Sequence, residues 1–273
     1  LFIFESVNNR TLWEAKRNKA LLHGFYLNEK DSAIEILQEL IHSPMVDNQL
    51  KSYCKLDLGD LYLLNEEPWE STLLYSQVEK DQKESTLGYE AKLRNARLSY
   101  YNGDFELALS HLDILKEATS REIANNAMEL SLRIKDNTVF DTTAAAMKSY
   151  AAIELLLFQN QKEMALKKLE ELLKTYPGHT LTDEIWWLQA NIFQDLGDFD
   201  QVVNKLKLIV DNFPEDILGD DAAYLLAKVY EENLADENKA MELYQNFLIT
   251  YKGSIYVPDA RKRFRRLRGD IVN

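Results

Sequence analysis

The residues that could perform catalysis or bind a metal are scattered along this chain of 273 residues. Its four histidines, His23, His42, His111 and His179, stand far apart, and none has the second histidine four positions on that a helical zinc site requires. Cys54 is the only cysteine, so neither an intrachain disulfide nor a cysteine-cluster metal site can form. The sequence therefore indicates no catalytic residue, no metal site and no cofactor, and we expect the protein not to be an enzyme.

Two further features with chemical potential have structural interpretations. Asp195, Asp198 and Asp200 resemble a loose calcium cluster, but the ligand order of a calcium-binding helix-loop-helix is absent. Aspartate is also favoured at helix ends and turns, where its side chain accepts local hydrogen bonds, and we prefer that interpretation. Cys54 lies in an apolar helical stretch, which is typical of a partly buried structural cysteine rather than a reactive thiol.

The elements that must position any binding site repeat along the chain. In one segment a first helix, a turn, a second helix and a closing proline are marked by Trp186, Ala190, Phe193, Gly197-Asp198, Phe199, Leu206 and Pro214. These spacings resemble those of a tetratricopeptide repeat, a pair of helices spanning about 34 residues. The small or β-branched residue that opens each second helix recurs at Ala33, Thr72, Ala108, Ala165, Val202 and Ala240.

The resemblance implies an all-α fold, a tetratricopeptide-repeat solenoid in which antiparallel helix pairs stack into a right-handed superhelix. We expect at least twelve helices and no sheet. The interval from Ala108 to Ala165 is 57 residues, roughly 20 more than one repeat, and residues 121–135 have the apolar spacing of one additional, irregular helix. The predicted domains are an N-terminal repeat block (1–118), an irregular helix and loop that interrupt the superhelix (119–141), a C-terminal repeat block (142–252) and a basic capping helix with a tail (253–273).

Charge is distributed unevenly along the chain. The formal net charge of −13 argues against a general nucleic-acid binder, because phosphate backbones repel such a surface. Near the C-terminus, however, six cations fall within eight residues: Arg261, Lys262, Arg263, Arg265, Arg266 and Arg268. One interpretation is a docking site for an acidic partner, an anionic lipid or nucleic acid, and this helix is the only place where we expect membrane lipid to bind. The other is a terminal capping helix, in which Phe264 and Leu267 close the core and the cations point outward.

Partner-binding residues are expected on the first helices of the repeats, which line the concave face of such a superhelix. The candidates are side chains that packing does not require: Glu184, Trp187, Asn191 and Gln194 in one repeat, Arg97, Tyr100 and Tyr101 in an earlier one, and Tyr224 and Lys228 in the last. Trp187 is the strongest candidate. Trp186 already occupies the packing position, so its neighbour should point elsewhere, and a partly exposed tryptophan is a frequent interface anchor. The expected partner is a protein or a peptide.

Within the family, parts of residues 142–268 resemble the repeats of bacterial cell-envelope proteins, such as barrel-assembly lipoproteins and Tol-Pal-associated coordinators. The similar segments are Tyr176-Pro177, Phe213-Pro214, the helix containing Ala222-Ala223-Tyr224 and Tyr251-Lys252-Gly253-Ser254. This resemblance implies a periplasmic or outer-membrane-associated scaffold. We expect no targeting signal in this chain, so the compartment rests on the resemblance alone.

These observations favour a non-enzymatic scaffold that binds a protein or peptide on its concave face, in the assembly or maintenance of a bacterial envelope. Two alternatives stay open. In the first, the chain is a helical accessory domain of a larger protein. In the second, it binds an anionic surface through the C-terminal basic helix.

Overall fold

The computed structural model describes residues 9–117, 120–139 and 143–270. Over these ranges the chain forms fourteen α-helices and one π-helical turn, and no β-strand. It divides into two compact units, Leu1–Gln161 (unit 1) and Lys162–Asn273 (unit 2). Unit 1 contains α1 (Asn9–Leu21), the π-helical turn (Leu22–Tyr26), α2 (Lys30–His42), α3 (Asn48–Leu64), α4 (Pro68–Asp81), α5 (Thr86–Tyr101), α6 (Phe105–Leu115), α7 (Arg121–Asp136) and α8 (Ala145–Phe158). Unit 2 contains α9 (Lys162–Thr175), α10 (Thr182–Leu196), α11 (Phe199–Asn212), α12 (Gly219–Glu232), α13 (Glu237–Thr250) and α14 (Val257–Leu267).

Short polar turns determine where many of the helices begin. Gly197 follows α10 in the left-handed conformation, with φ of 75°, which glycine adopts without a Cβ clash. Asp198 then caps α11, and its side chain accepts a hydrogen bond from the backbone N–H of Gln201 at 3.3 Å. Asp104 caps α6 in the same way. The carboxylate of Asp198 therefore serves a helix cap, in line with the turn interpretation.

The residues predicted to open the second helices mark buried positions, with one exception. The fully buried ones are Ala33, Ala108, Ala165, Val202 and Ala240. Thr72 is exposed, whereas its neighbour Ser71 is buried and donates a hydrogen bond to the carbonyl oxygen of Gly59 at 2.7 Å. The packing frame of α4 is therefore shifted by one residue. The same shift places Tyr75, rather than Ser76, in the core.

Helices α3 and α4 approach each other closely at Gly59. A Cβ atom added there would lie 2.4 Å from Cε1 of Tyr75. The ring of Tyr75 is buried, and its hydroxyl donates to Asp60 at 2.7 Å, so it has little freedom to move.

We expect Gly59→Ala to lower the free energy of unfolding by about 1–2 kcal/mol, because overpacking outweighs the helix propensity that alanine gains. Urea denaturation measures the change. Gly253→Ala is the matched control, since nothing lies within 4 Å of a Cβ atom added at that position. A Gly59→Ala variant as stable as the control would show that the two helices tolerate the extra methyl group.

The segment predicted as an additional helix folds as α7, which packs on α5 and α6. Residues 118–119 and 140–142, which flank it, lie outside the described part of the chain. The predicted interruption of the superhelix between residues 119 and 141 therefore stays a prediction.

Helix α8 occupies a different place from the one predicted. The sequence assigned it to the C-terminal block at residues 142–252, whereas it belongs to unit 1 and packs on α5. Leu155 and Phe158 of α8 pack on a buried cluster built by α3, α4 and α5. Gln159 Nε2 also donates a hydrogen bond to the carbonyl oxygen of Leu63 at 3.1 Å. These contacts place the division between the units after Gln161 instead of after residue 141.

In unit 2, each of the helices from α10 to α14 packs on the next. Ala190 is fully buried where α10 and α11 meet. Trp186 makes an edge-on contact with Phe213, with 5.7 Å between ring centroids, at the end of α11. The packing positions that the repeat pattern predicted for this pair are therefore occupied as expected.

Candidate functional site

The helix pair α10–α11 presents four candidate binding residues on one face of α10. Glu184, Trp187, Asn191 and Gln194 follow each other at helical spacing. Gln194 is exposed, and the other three are half-buried. Trp187 packs on the cluster of unit 2 that contains Ala190 and Val202. Both adjacent tryptophans therefore contribute to packing, and Trp187 keeps part of its ring accessible.

The candidates on α5 are covered by α8. Tyr100 is 1 % exposed, and its hydroxyl donates a short hydrogen bond to Glu154 of α8. The ring of Tyr101 lies against Phe158, with centroids 6.5 Å apart. Burial, reinforced by the charge of Glu154, raises the pKa of Tyr101 to about 12. Tyr100 is therefore not available to a partner in this structure, whereas Tyr101 is half-buried and Arg97 is exposed.

Glu154 is a key residue that the sequence reasoning missed. Besides Tyr100, it accepts a hydrogen bond from Arg133 of α7 at 2.9 Å. Burial opposes the positive charge of Arg133, but the attraction of Glu154 outweighs it and raises the pKa of the guanidinium. A cavity of about 170 Å³ remains beside these groups. The single acidic residue of α8 therefore ties α5, α7 and α8 together.

The candidates on α12 are engaged by the unit itself. Tyr224 stacks on Tyr256, with centroids 4.4 Å apart and an angle of 6° between the planes. Its hydroxyl donates to Asp259 of α14, and burial together with this bond raises the pKa of Tyr224 to about 12. Lys228 lies 3.8 Å from Glu232 on the same helix. Tyr224 therefore helps to hold α14 in place, whereas Lys228 pairs within α12.

Helix α14 covers the end of unit 2 with an apolar stripe. Ala260 is fully buried, and Phe264 and Leu267 pack on the cluster that contains Phe247 and Tyr244. This arrangement matches the capping interpretation of the basic helix.

The capping interpretation predicts that the cations of α14 point outward, but not all of them do. Arg263 donates to Glu231 at 2.9 Å and to Glu232 at 2.7 Å, and Arg266 also pairs with Glu231. The side chain of Glu231 is only 6 % exposed, so it draws both guanidinium groups onto α12. Arg265 and Arg268 instead pair with Asp270, and Arg261 and Lys262 are exposed.

No cluster of three or more histidine, cysteine, aspartate or glutamate residues in the described part of the chain could hold a metal ion. Burial, and secondly the charge of Asp57, raises the pKa of the Cys54 thiol to about 12. The buried thiol therefore stays protonated at neutral pH, in keeping with a structural cysteine. Over the same described ranges, no helix combines the length and apolarity that crossing a membrane requires.

Residues 221–254 match the family model described as tetratricopeptide repeat. The match covers most of α12, all of α13 and the turn that follows. No curated protein matches the chain. The helices described above confirm the all-α fold class, and the match to one repeat is consistent with the predicted tetratricopeptide-repeat solenoid.

Proposed function

We propose that this tetratricopeptide-repeat protein is a non-enzymatic scaffold that binds a protein or peptide partner through the α10 face of unit 2. Tetratricopeptide repeats generally mediate protein–protein interactions, which supports the scaffold role. The observation that carries the choice of surface is the fate of the three predicted patches. In the α5 patch Tyr100 is buried beneath α8, and in the α12 patch Tyr224 is stacked on Tyr256. On α10, by contrast, Gln194 is exposed and neither Trp187 nor Asn191 is fully buried.

The setting that we propose is the assembly or maintenance of a bacterial cell envelope. It rests on the resemblance of Tyr176-Pro177, Phe213-Pro214 and Tyr251-Lys252-Gly253-Ser254 to the repeats of envelope proteins. Binding of an anionic surface is the weaker alternative, because two of the six cations of the basic helix are committed to Glu231. The accessory-domain alternative predicts that the isolated chain retains no defined partner.

We expect Trp187→Ala to weaken retention of the partner by about 2 kcal/mol or more, roughly a 30-fold loss of affinity, because an anchoring tryptophan buries a large area at low entropic cost. The measurement is quantitative mass spectrometry of proteins retained by the immobilised chain, followed by titration of the retained protein. Ile217→Ala is the matched control, since Ile217 is an apolar residue of unit 2 that is 73 % exposed outside α10.

Because Trp187 also packs on the core, the circular dichroism spectrum of each variant must be recorded. If Trp187→Ala unfolds, Asn191→Ala and Gln194→Ala test the same face. Both side chains are smaller than that of Trp187, and Gln194 is also more exposed. Unchanged retention by folded variants at all three positions would contradict the assignment of the α10 face.

A further inference from the structure

A groove runs along unit 1 on the side of α5 that faces away from Tyr101. Helices α4 and α6 form its walls and α5 forms its floor, and the cavity measures about 900 Å³. Because α4, α5 and α6 are joined by short turns, successive helices are antiparallel, and the two walls run in the same direction. The groove is built from positions that the predicted binding patches do not use.

The walls of the groove carry large apolar side chains in water. Trp69, in the first turn of α4, is 84 % exposed. Leu107 and Ile114 of α6 are 46 % and 55 % exposed, and both line the groove. Exposed apolar side chains grouped along one cleft are typical of a surface that a partner covers. A tryptophan is the residue type that most often anchors such a contact.

The lining of the groove contains buried polar atoms whose hydrogen-bonding capacity is not used. Glu79 accepts hydrogen bonds from Lys92 at 2.6 Å and from Asn95 Nδ2 at 3.0 Å. Asn95 is only 7 % exposed, yet its Oδ1 atom has no hydrogen-bond partner among the described residues. Nδ1 of His111 is likewise buried without a partner in that part of the chain. Such groups cost free energy unless a bound molecule or water satisfies them.

The two ends of the groove differ in charge. Lys80 and Lys83 are exposed at the end near Ile114, and neither forms an ion pair with a described residue. Glu79 and Asp81 of α4 pair with Lys92 and Lys55 instead. Glu84 also lines this end and is exposed. The opposite end, near Trp69, carries Asp104. Lys80 and Lys83 outnumber the exposed Glu84 at the Ile114 end, and on a chain of net charge −13 they favour a partner with carboxylates there.

We propose that this groove is a second docking site, which binds an amphipathic α-helix of a protein partner. The apolar face of that helix covers Trp69, Leu107 and Ile114, a donor near its centre serves Asn95 Oδ1, and acidic residues at one end meet Lys80 and Lys83. The length supports a helical occupant, since the 14 residues of α4 span about 21 Å and a ligand helix of similar length fills the same distance. The site is independent of the α10 face.

The probe is a phage-displayed library of helical peptides of about 16 residues, randomised along one face. Selection uses the full chain, with counter-selection on Ser76→Trp, which fills the groove from an exposed position of its wall. We expect enriched peptides to carry apolar residues at helical spacing and carboxylates at one end. Their affinity should fall about tenfold or more with Trp69→Ala, and equally with the double variant Lys80→Glu, Lys83→Glu.

Two matched controls distinguish the groove from general stickiness. Leu73→Ala removes an apolar residue of α4 that is 55 % exposed outside the groove, and Lys167→Glu with Lys252→Glu makes the same charge change in unit 2. Both should leave affinity within about twofold. Peptide binding should also shift the side-chain resonances of His111 but not those of His23, His42 or His179.

The proposal is overturned if no peptide distinguishes the unmodified chain from Ser76→Trp, or if the selected peptides are insensitive to Trp69→Ala. Peptides that lose affinity with Trp187→Ala instead would belong to the α10 face and would leave the groove without a ligand. Enriched peptides without carboxylates would refute the assigned role of Lys80 and Lys83.

Discussion

The Arg263→Ala variant is expected to lose about 3 kcal/mol of unfolding free energy, because it leaves Glu231 nearly buried with one of its two cationic partners missing. The guanidinium of Arg263 links three carboxylates, those of Glu231, Glu232 and Asp259. Its loss therefore weakens the attachment of α14 to α12 as well as α14 itself. Hydrogen exchange of the α12 and α14 amides in the full chain measures where stability is lost.

Arg268→Ala is the matched control for this prediction. Arg268 is a cation of the same basic run, but its guanidinium pairs with Asp270 at the protein surface and has no contact with Glu231. Exposed ion pairs contribute roughly 0–1 kcal/mol, so we expect little change. Equal effects of the two substitutions would show that apolar contacts alone hold α14 in place.

The pH dependence of unit 2 provides a second readout of the same network. Burial opposes the negative charge of Glu231, but hydrogen bonds from Tyr244, Arg263 and Arg266 outweigh it and hold the pKa of this carboxyl below its usual value. A carboxylate with a lowered folded-state pKa stabilises the fold above the unfolded-state pKa, about 4.3, and this stabilisation is lost as the pH falls through the folded-state value. Protection of the α14 amides should therefore decline below about pH 4.3, and less steeply in Arg263→Ala.

The cap of unit 2 shows which contacts could be predicted from the sequence and which could not. The apolar stripe of Ala260, Phe264 and Leu267 follows from helical spacing, which is a local property of the chain, and these residues do pack on the last helix pair. The pairing of Arg263 with Glu231 joins residues 32 positions apart. Periodicity describes which face of a helix is apolar, but it does not specify which acidic residue of a neighbouring helix is left without a partner.

The position of α8 shows a second limit of periodicity. Its sequence is apolar on most sides, so spacing alone does not select the face that packs or the helix that it packs on. The repeat frame placed it in one block with α9, because the surplus of the 57-residue interval from Ala108 to Ala165 was assigned to the preceding helix at residues 121–135. The decisive features are long-range: Tyr100 and Glu154 are 54 residues apart, and Arg133 lies on the irregular helix. A lone acidic residue in an apolar helix was the one available signal.

The same contacts show which helix buries Tyr100 and packs on Tyr101. Two adjacent aromatic residues on a first helix fit a partner-binding surface, and a helix does cover them. That helix is α8 of the same unit, which uses Phe158 and Glu154 to contact them. Sequence reasoning therefore identified a surface suited to binding a helix, without the information that the chain itself provides the helix.

Glu154→Ala is expected to destabilise unit 1 by about 3 kcal/mol, because it removes the acceptor of the buried Tyr100 hydroxyl and one of the carboxylates that neutralise Arg133. Glu129→Ala is the matched control, since Glu129 pairs with the same arginine but is 68 % exposed, four residues away on the same helix. We expect a loss of about 0.5 kcal/mol or less from the control. Denaturant unfolding of the full chain gives both values, and hydrogen exchange of the α8 amides shows whether this helix detaches first. If Glu154→Ala is no more harmful than Glu129→Ala, then Leu155 and Phe158 are sufficient to hold α8 on α5, and the polar link contributes no net stability.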